Sequence, residues 1–480
     1  MEYRYVTSTS SMSTFESPDW IEPREYQQQA IQSWLDADGQ GILHMATGTG
    51  KTVTALQAAS KVADFVEQRF LLVIAVPYQH LVDQWAADLK DFGVQPVLAY
   101  QSRRNWQPRL ERELLELNNA VRDIAVVVTT HRTLSGAATQ QTLKRSVGQS
   151  MLIADEVHHM GATDAQKGLL DEFRFRLGLS ATPERWYDED GTRVLNSYFG
   201  GTVFDYGLKN AIDGGALYEY YYIPHIVELE ADEMEEYMRL TRKIGRLMGK
   251  AGGADAVLED NPALQTALFK RARLIGTARQ KLDLLVDLFA KVDNPEHTLV
   301  YCSDGSLGVD EDGERHVDET TKMLRDVCDL TVDRFTAREN QAKREALLTD
   351  FERGEIDVLT SIRCLDEGVD IPATRTAYIL ASTSNPRQYV QRRGRILRQD
   401  EGKQFAVIHD FITIPDTGQH PEMLTDEEYA AERKLIENEL DRVSMFAECA
   451  RNHPDADVRG IPTSNRTLQS VKRRYELLTS

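Results

Sequence analysis

Residues Met45-Ala46-Thr47-Gly48-Thr49-Gly50-Lys51-Thr52 follow an apolar run, Gly41-Ile42-Leu43-His44, and precede a stretch with helical spacing. That order predicts a strand, a tight turn and a helix start, a local plan that belongs to α/β sheets. Glycine lets the backbone come close to an anion, and the free N–H groups at a helix start favour negative charge. The pattern therefore predicts a cradle for a nucleotide triphosphate. Gly48, Thr49 and Gly50 would wrap the phosphates, Lys51 would reach the β- and γ-phosphates, and Thr52 would ligate magnesium. Met45 stands where the usual pattern has glycine, and a glycine-rich turn ahead of an ordinary helix is the plain alternative.

A second apolar run, Ser150-Met151-Leu152-Ile153-Ala154, reads as a buried strand and ends in Asp155-Glu156-Val157-His158-His159. Two adjacent acids at a strand end are costly to bury unless they meet a cation or move protons. Asp155 fits a magnesium ligand, and Glu156 the base that orients or deprotonates an attacking water. A solvated acidic loop is the alternative, but it has no need of the apolar strand before it.

At 480 residues the chain has room for about three domains. Its four cysteines are scattered without metal-ligand spacing, which points to free thiols in a reducing compartment. No apolar run approaches a membrane span, so a soluble cytoplasmic chain is expected, with no membrane partner. The net charge of −20 makes any nucleic-acid contact depend on local basic patches. Arginine outnumbers lysine more than twofold, and with the acidic surplus this suits a halophilic cytoplasm where salt screens self-repulsion.

Strand-like and helix-like runs alternate twice along the chain, predicting an α/β fold with two tandem parallel-sheet domains. Residues 1–20 are expected to be a flexible tail and 21–225 the first α/β domain. A helical connector, either a thumb-like element or only a spacer, is placed at 226–295, the second α/β domain at 296–420, and a helical extension at 421–480. In open sheets of this kind ligands bind at the carboxyl ends of strands, where both motifs sit.

In the second block, Gln391-Arg392-Arg393-Gly394-Arg395-Ile396-Leu397-Arg398 spaces arginines by three, which on a helix makes one cationic face. Such a face is expected to meet anions, here the γ-phosphate held by the first block; a solvated basic helix is the alternative. Just before it, Glu367-Gly368-Val369-Asp370-Ile371-Pro372 reads as a strand-to-loop turn that would bring Asp370 near a ribose and the Gly368 backbone near the nucleotide.

The ordered set Arg24-x-Tyr26-Gln27, Ala46 to Thr52, Val76-Pro77 through Gln84-Trp85, Thr129-Thr130-His131, Asp155 to His158, Ser180-Ala181-Thr182-Pro183, Leu299 to Cys302, Glu367 to Pro372 and Gln391 to Arg398 resembles the full motif series of superfamily 2 helicases. In motif form it is similar to xeroderma-pigmentosum-B-type repair helicases and to motor subunits of type I and III restriction enzymes. The resemblance implies two RecA-like domains, ATP and Mg2+, and a nucleic-acid partner, most readily DNA.

By motif position, Arg24 and Gln27 would read the adenine edge. Lys51, Asp155, Glu156, Gln391, Arg395 and Arg398 would be catalytic, the last two as arginine fingers. His158, Ser180 and Thr182 would couple nucleotide state to motion, although Ser180 and Thr182 also read as a simple helix cap. Thr129, Thr130, His131, Ser303, Thr360, Ser361 and Arg363 fall where the family holds the nucleic-acid backbone. Arg103, Arg104 and Trp106 could stack or pack a strand, or lie in a solvated loop. No nuclease signature stands in 420–480, so any cleavage is expected on a partner chain serving repair or defence. An ATP-gated clamp or an RNA helicase are the rival functions.

Overall fold

The computed structural model describes residues 15–66, 69–183, 188–249, 261–303, 305, 315–336, 338–362, 371–381, 386–414 and 425–453. Their contacts divide the chain into two units, Met1–Asp213 and Gly214–Ser480.

In the first unit the elements run α1 (Glu25–Asp36), β1 (Gln40–Met45), α2 (Lys51–Val66), β2 (Phe70–Val76), α3 (Gln79–Asp91), β3 (Val97–Ala99), α4 (Arg103–Asn118) and β4 (Ile124–Thr130). They continue as α5 (His131–Leu134), α6 (Ala137–Leu143), β5 (Gln149–Ala154), β6 (Phe175–Ser180), α7 (Glu189–Phe199), β7 (Thr202–Tyr206) and α8 (Leu208–Asp213). Among the described residues the strands form a seven-stranded sheet in the order β3-β4-β2-β5-β6-β1-β7, and every pair is parallel. Continuous apolar sequence explains the central strands: Phe70–Val76 and Ile124–Thr130 are buried along their whole length, as strands covered on both faces must be. The covering helices are one-sided. α3 buries Leu81, Val82, Trp85, Ala86 and Leu89, each large apolar side chain contributing about 1.5–3 kcal/mol by leaving water. The expected tail at 1–20 already packs at its end: Phe15 is buried, and its carbonyl accepts the Ser60 hydroxyl of α2.

The second unit runs β8 (Tyr220–Val227), α9 (Ala231–Gly249), α10 (Pro262–Gly276), α11 (Gln280–Phe289), β9 (Thr298–Tyr301), α12 (His316–Cys328) and β10 (Val332–Phe335). It ends with α13 (Gln341–Glu352), β11 (Val358–Ser361), β12 (Thr376–Ile379), α14 (Pro386–Ile396), β13 (Ala406–Thr413) and α15 (Asp426–Glu448). Its described strands form a parallel sheet in the order β10-β11-β9-β12-β13-β8.

Here the expected boundary at 225 moves. β8 pairs with β13 from Tyr220↔Ala406 to Val227↔Thr413, so residues placed by sequence at the end of the first domain form the edge of the second sheet. Likewise α11 is not connector. Its Leu282, Leu285 and Phe289 share a core with Val300, Tyr378 and Phe411. Among the described residues α9 and α10 have a core of their own, around Tyr237, Leu240, Leu274 and Ile275, with Leu435 of α15 against them.

The β8 edge is closed locally. Asn452 accepts from Tyr222 N and donates to Tyr222 O, Arg451 N donates to Tyr220 O, and Pro224 has no N–H to offer. Among the described residues no helix is long and apolar enough to cross a membrane.

Candidate functional site

Because every strand of the first sheet is parallel, all carboxyl ends lie along one edge, and the order β5-β6-β1 sets three motif-bearing ends side by side. Lys51 and Thr52 open α2 directly after the glycine turn. Gly48 (φ 89°) and Gly50 (φ 76°) both take left-handed backbone, which explains glycine at each. At Gly50 there is also no space: an added Cβ would lie 2.7 Å from Gln27 Nε2. The Lys51 ammonium donates to the Met45 carbonyl at 3.1 Å, folded across the turn that the triphosphate would fill. The Thr47 hydroxyl is buried with no hydrogen-bond partner among the described residues.

Two helix α1 residues brace this turn from behind. Tyr26 donates its hydroxyl to Thr49 O at 2.9 Å, and its ring stacks on Tyr206 of β7 at 4.1 Å. Gln27 is spent at both ends, its oxygen accepting from Arg24 N and its amide donating to Thr49 O and Gly50 O at 3.4 Å. Gln27 thus supports the turn from behind. Arg24 sits at the start of α1, close enough to oppose the burial that raises the Tyr26 phenol.

Asp155, at the end of β5, is half-buried. Its Oδ2 accepts the indole N–H of Trp85 at 3.0 Å and its Oδ1 the N–H of Glu156 at 2.9 Å. Burial pushes its carboxyl above the usual range, against the pull of Trp85, Lys51 and the Glu156 amide. The carboxylate offers oxygen to a hard cation and the Lys51 ammonium offers charge to phosphate, so the two suit a cation that arrives with its own phosphate oxygens. Glu156 occupies left-handed backbone (φ 44°, ψ 54°), unusual for a residue with a side chain and common where a turn is held for function. Its Oε2 is 3.5 Å from His158 Nδ1, which lies 3.1 Å from Ser180 Oγ, which in turn accepts Thr182 N at 3.0 Å. The acid, the histidine and the Ser180/Thr182 pair therefore form one chain of contacts across the ends of β5 and β6. Asp155, Lys51 and the glycine turn thus offer a fitting seat for a magnesium nucleotide, with Thr52 beside them.

The residues expected to hold nucleic acid lie differently. Thr129 donates to Ala99 O and is fully buried. The Thr130 hydroxyl caps α5 by accepting Thr133 N, and buried His131 lies 3.2 Å from Ala75 O. Burial, with His159 beside it, lowers the His131 pKa to about 3. In the second unit Ser303 Oγ accepts Gly305 N, Thr360 Oγ1 meets Thr321 Oγ1 at 2.6 Å, and the Ser361 hydroxyl reaches Ile362 O. All six of these residues are buried. Trp106 is core as well, packed with Leu110 and Leu114 on α4, so it offers no stacking platform; Arg103 and Arg104 begin that helix and stay exposed. Arg363, Gly368 and Asp370 lie outside the described residues.

The arginine run also needs correcting. Helix α14 ends at Ile396, so Arg398 stands beyond it and the expected single face is broken. Arg392 faces inward, its guanidinium 4.9 Å from the Tyr301 ring and its Nη1 3.4 Å from Ala381 O. Arg393 donates to Met445 O at 2.7 Å and lies 5.0 Å over Phe446, both on α15. Gln391 and Arg395 are buried, and burial lowers the Arg398 pKa to about 10.

Sequence reasoning missed Trp85 as a partner of Asp155, and His44, which joins Asp205 (3.0 Å) to Ala181 O (3.0 Å). The Gln84-Trp85 pair was a visible signal for the first; nothing in the sequence pointed to the second.

The two sheets and the phosphate-type turn define a P-loop protein with two tandem RecA-like units. Residues 20–185 match the family described as type III restriction enzyme, res subunit, and residues 280–400 match the helicase conserved C-terminal domain. The chain belongs to the superfamily 2 helicases. It is 27% identical over 403 residues to the DNA 3'-5' translocase XPB2 of Sulfurisphaera tokodaii, covering 82% of each chain. It is 25% identical to the type I restriction enzyme EcoAI endonuclease subunit of Escherichia coli (81% of this chain, 46% of that one). With the putative DNA 3'-5' helicase Rad25 of Haloarcula marismortui the identity is 24% (78% and 50%). The chain thus spans about half the length of these last two relatives. Among solved structures, the fold resembles the type ISP restriction-modification enzyme LlaBIII bound to DNA (TM-score 0.58, 18% identity, 89% of this chain and 30% of that one). It also resembles the Pyrococcus furiosus Hef helicase domain (TM-score 0.51, 16% identity, 83% and 97%).

Proposed function

We propose that this chain is an ATP-driven DNA motor, a helicase or double-strand translocase that hydrolyses ATP to move along DNA. The observation that carries the reading is the meeting of Lys51, Asp155 and Glu156 at one sheet edge, with Glu156 tied through His158 to Ser180 and Thr182. The DNA-acting relatives support the choice of DNA over RNA.

In this mechanism the glycine turn and Lys51 would hold the phosphates, while Thr52 and Asp155 would hold magnesium. Magnesium held there would supply positive charge against the negative charge that develops on the phosphates. Glu156 orients the attacking water and accepts its proton. His158 passes the position of Glu156 to Ser180 and Thr182, so that loss of the γ-phosphate changes the hydrogen bonds at the end of β6. Gln391, Arg395 and Arg398 serve the transition-state charge. A nuclease or another repair or defence chain would act alongside the motor.

Glu156→Gln should bind ATP normally and lose at least about 100-fold in DNA-stimulated ATPase rate, the scale set by losing one preorganised group. Normal turnover in that variant would show that Glu156 is not the base. Triplex displacement without strand separation would mark a translocase, and ATPase activity indifferent to DNA with long DNA residence would mark a clamp.

A further inference from the structure

Trp85 stands on the buried face of α3, outside every phosphate-binding segment, and is 1% exposed. Its indole N–H does not end on a backbone carbonyl, as that of Trp34 does at Arg176 O (3.0 Å), but on Oδ2 of Asp155. The other oxygen of that carboxylate is held by the Glu156 amide. Both bonds are fixed by secondary structure, one by helix α3 and one by the turn after β5. Together they hold the half-buried Asp155 carboxylate in one orientation, where a free rotor would have to be ordered each time a cation arrived.

Resting on the nucleotide reading above, we propose that Trp85 is a positioning residue for the metal site: it orients Asp155 so that magnesium bound with nucleotide meets a preset oxygen. Its effect is on metal-dependent affinity, not on the phosphate cradle, since none of its bonds reaches residues 45–52.

The experiment compares Trp85→Phe with Trp34→Phe. Both lose an indole N–H and the same volume from a fully buried site, so packing damage is matched. Binding of a non-hydrolysable ATP analogue to the full chain is measured by titration calorimetry, with and without magnesium. Trp85→Phe should weaken binding about tenfold with magnesium, the usual scale for losing a partner of a metal ligand, and leave metal-free binding unchanged. Trp34→Phe should change neither. A Trp85→Phe protein that binds the magnesium-loaded analogue as wild type does, or that loses both modes equally, overturns the proposal.

A second measurement needs no destabilised variant. In the wild-type chain labelled with 15N-tryptophan, the Trp85 indole resonance should shift when magnesium is added to the analogue complex while that of Trp34 stays; an unmoved Trp85 resonance counts against the proposal. Wild-type affinity indifferent to magnesium is a separate pattern that sinks the nucleotide reading itself, and this inference with it.

Discussion

Individual histidines show how strongly position outweighs residue type in this chain. His158 lies between Glu156 and Ser180 at the proposed site, whereas His316 is buried and His409 half-buried within the second unit. Burial, with Lys281 nearby, lowers His316 to about 3; burial, with His225 alongside, lowers His409 to about 3. In the unfolded chain both titrate near 6.5. Above that value neither state takes up the proton and their contribution to stability is whole. Between about 6.5 and 3 only the unfolded chain binds it, so folding weakens steadily as pH falls. The urea midpoint should therefore drop from pH 7 to pH 5, and His409→Asn should make that drop shallower; a pH-independent midpoint would contradict histidines held neutral by the fold.

Between elements, the important link is the one from α14 to α15. Arg393 crosses it with one hydrogen bond to Met445 O and its guanidinium on Phe446, while Tyr220 of β8 donates to Phe446 O at 2.6 Å. Below lies a buried ionic group, in which Arg442 bonds Asp410 at 3.1 Å and Glu439 at 2.8 Å and Tyr222 donates to Asp410 at 2.8 Å. Breaking such a group by removing one partner leaves charge stranded. Arg393→Ala should cost about 2 kcal/mol, the worth of a buried hydrogen bond from a charged donor. Amide exchange within 426–448 should quicken, and magnesium-dependent analogue binding should stay as in wild type. If exchange in α15 is unchanged, Arg393 is not its anchor.

At the scale of the whole molecule, the charge of −20 is spread over a chain proposed to grip a polyanion. Self-repulsion of that size weakens a compact state in dilute salt and is screened within a few ångströms at molar salt. Thermal unfolding should move to higher temperature as potassium chloride rises to molar levels. A flat or falling curve would remove the halophile-like reading and leave an ordinary acidic protein.

The glycine turn, the paired acids and the alternation of strands with helices were legible because each is local: a few adjacent residues and the period of their burial suffice. Membership of β8 in the second sheet was not, since an apolar strand reads the same whichever neighbour it will hydrogen-bond. Nor was the inward turn of Thr129, Thr360 and Ser361, because a strand end shows its residue types but not the helix that covers them. What sequence determined by itself was the kind of chemistry and the edge on which it sits. Only tertiary packing decided which side chains were left free for it, and put an indole on Asp155, because long-range contacts choose among partners that local pattern leaves equivalent.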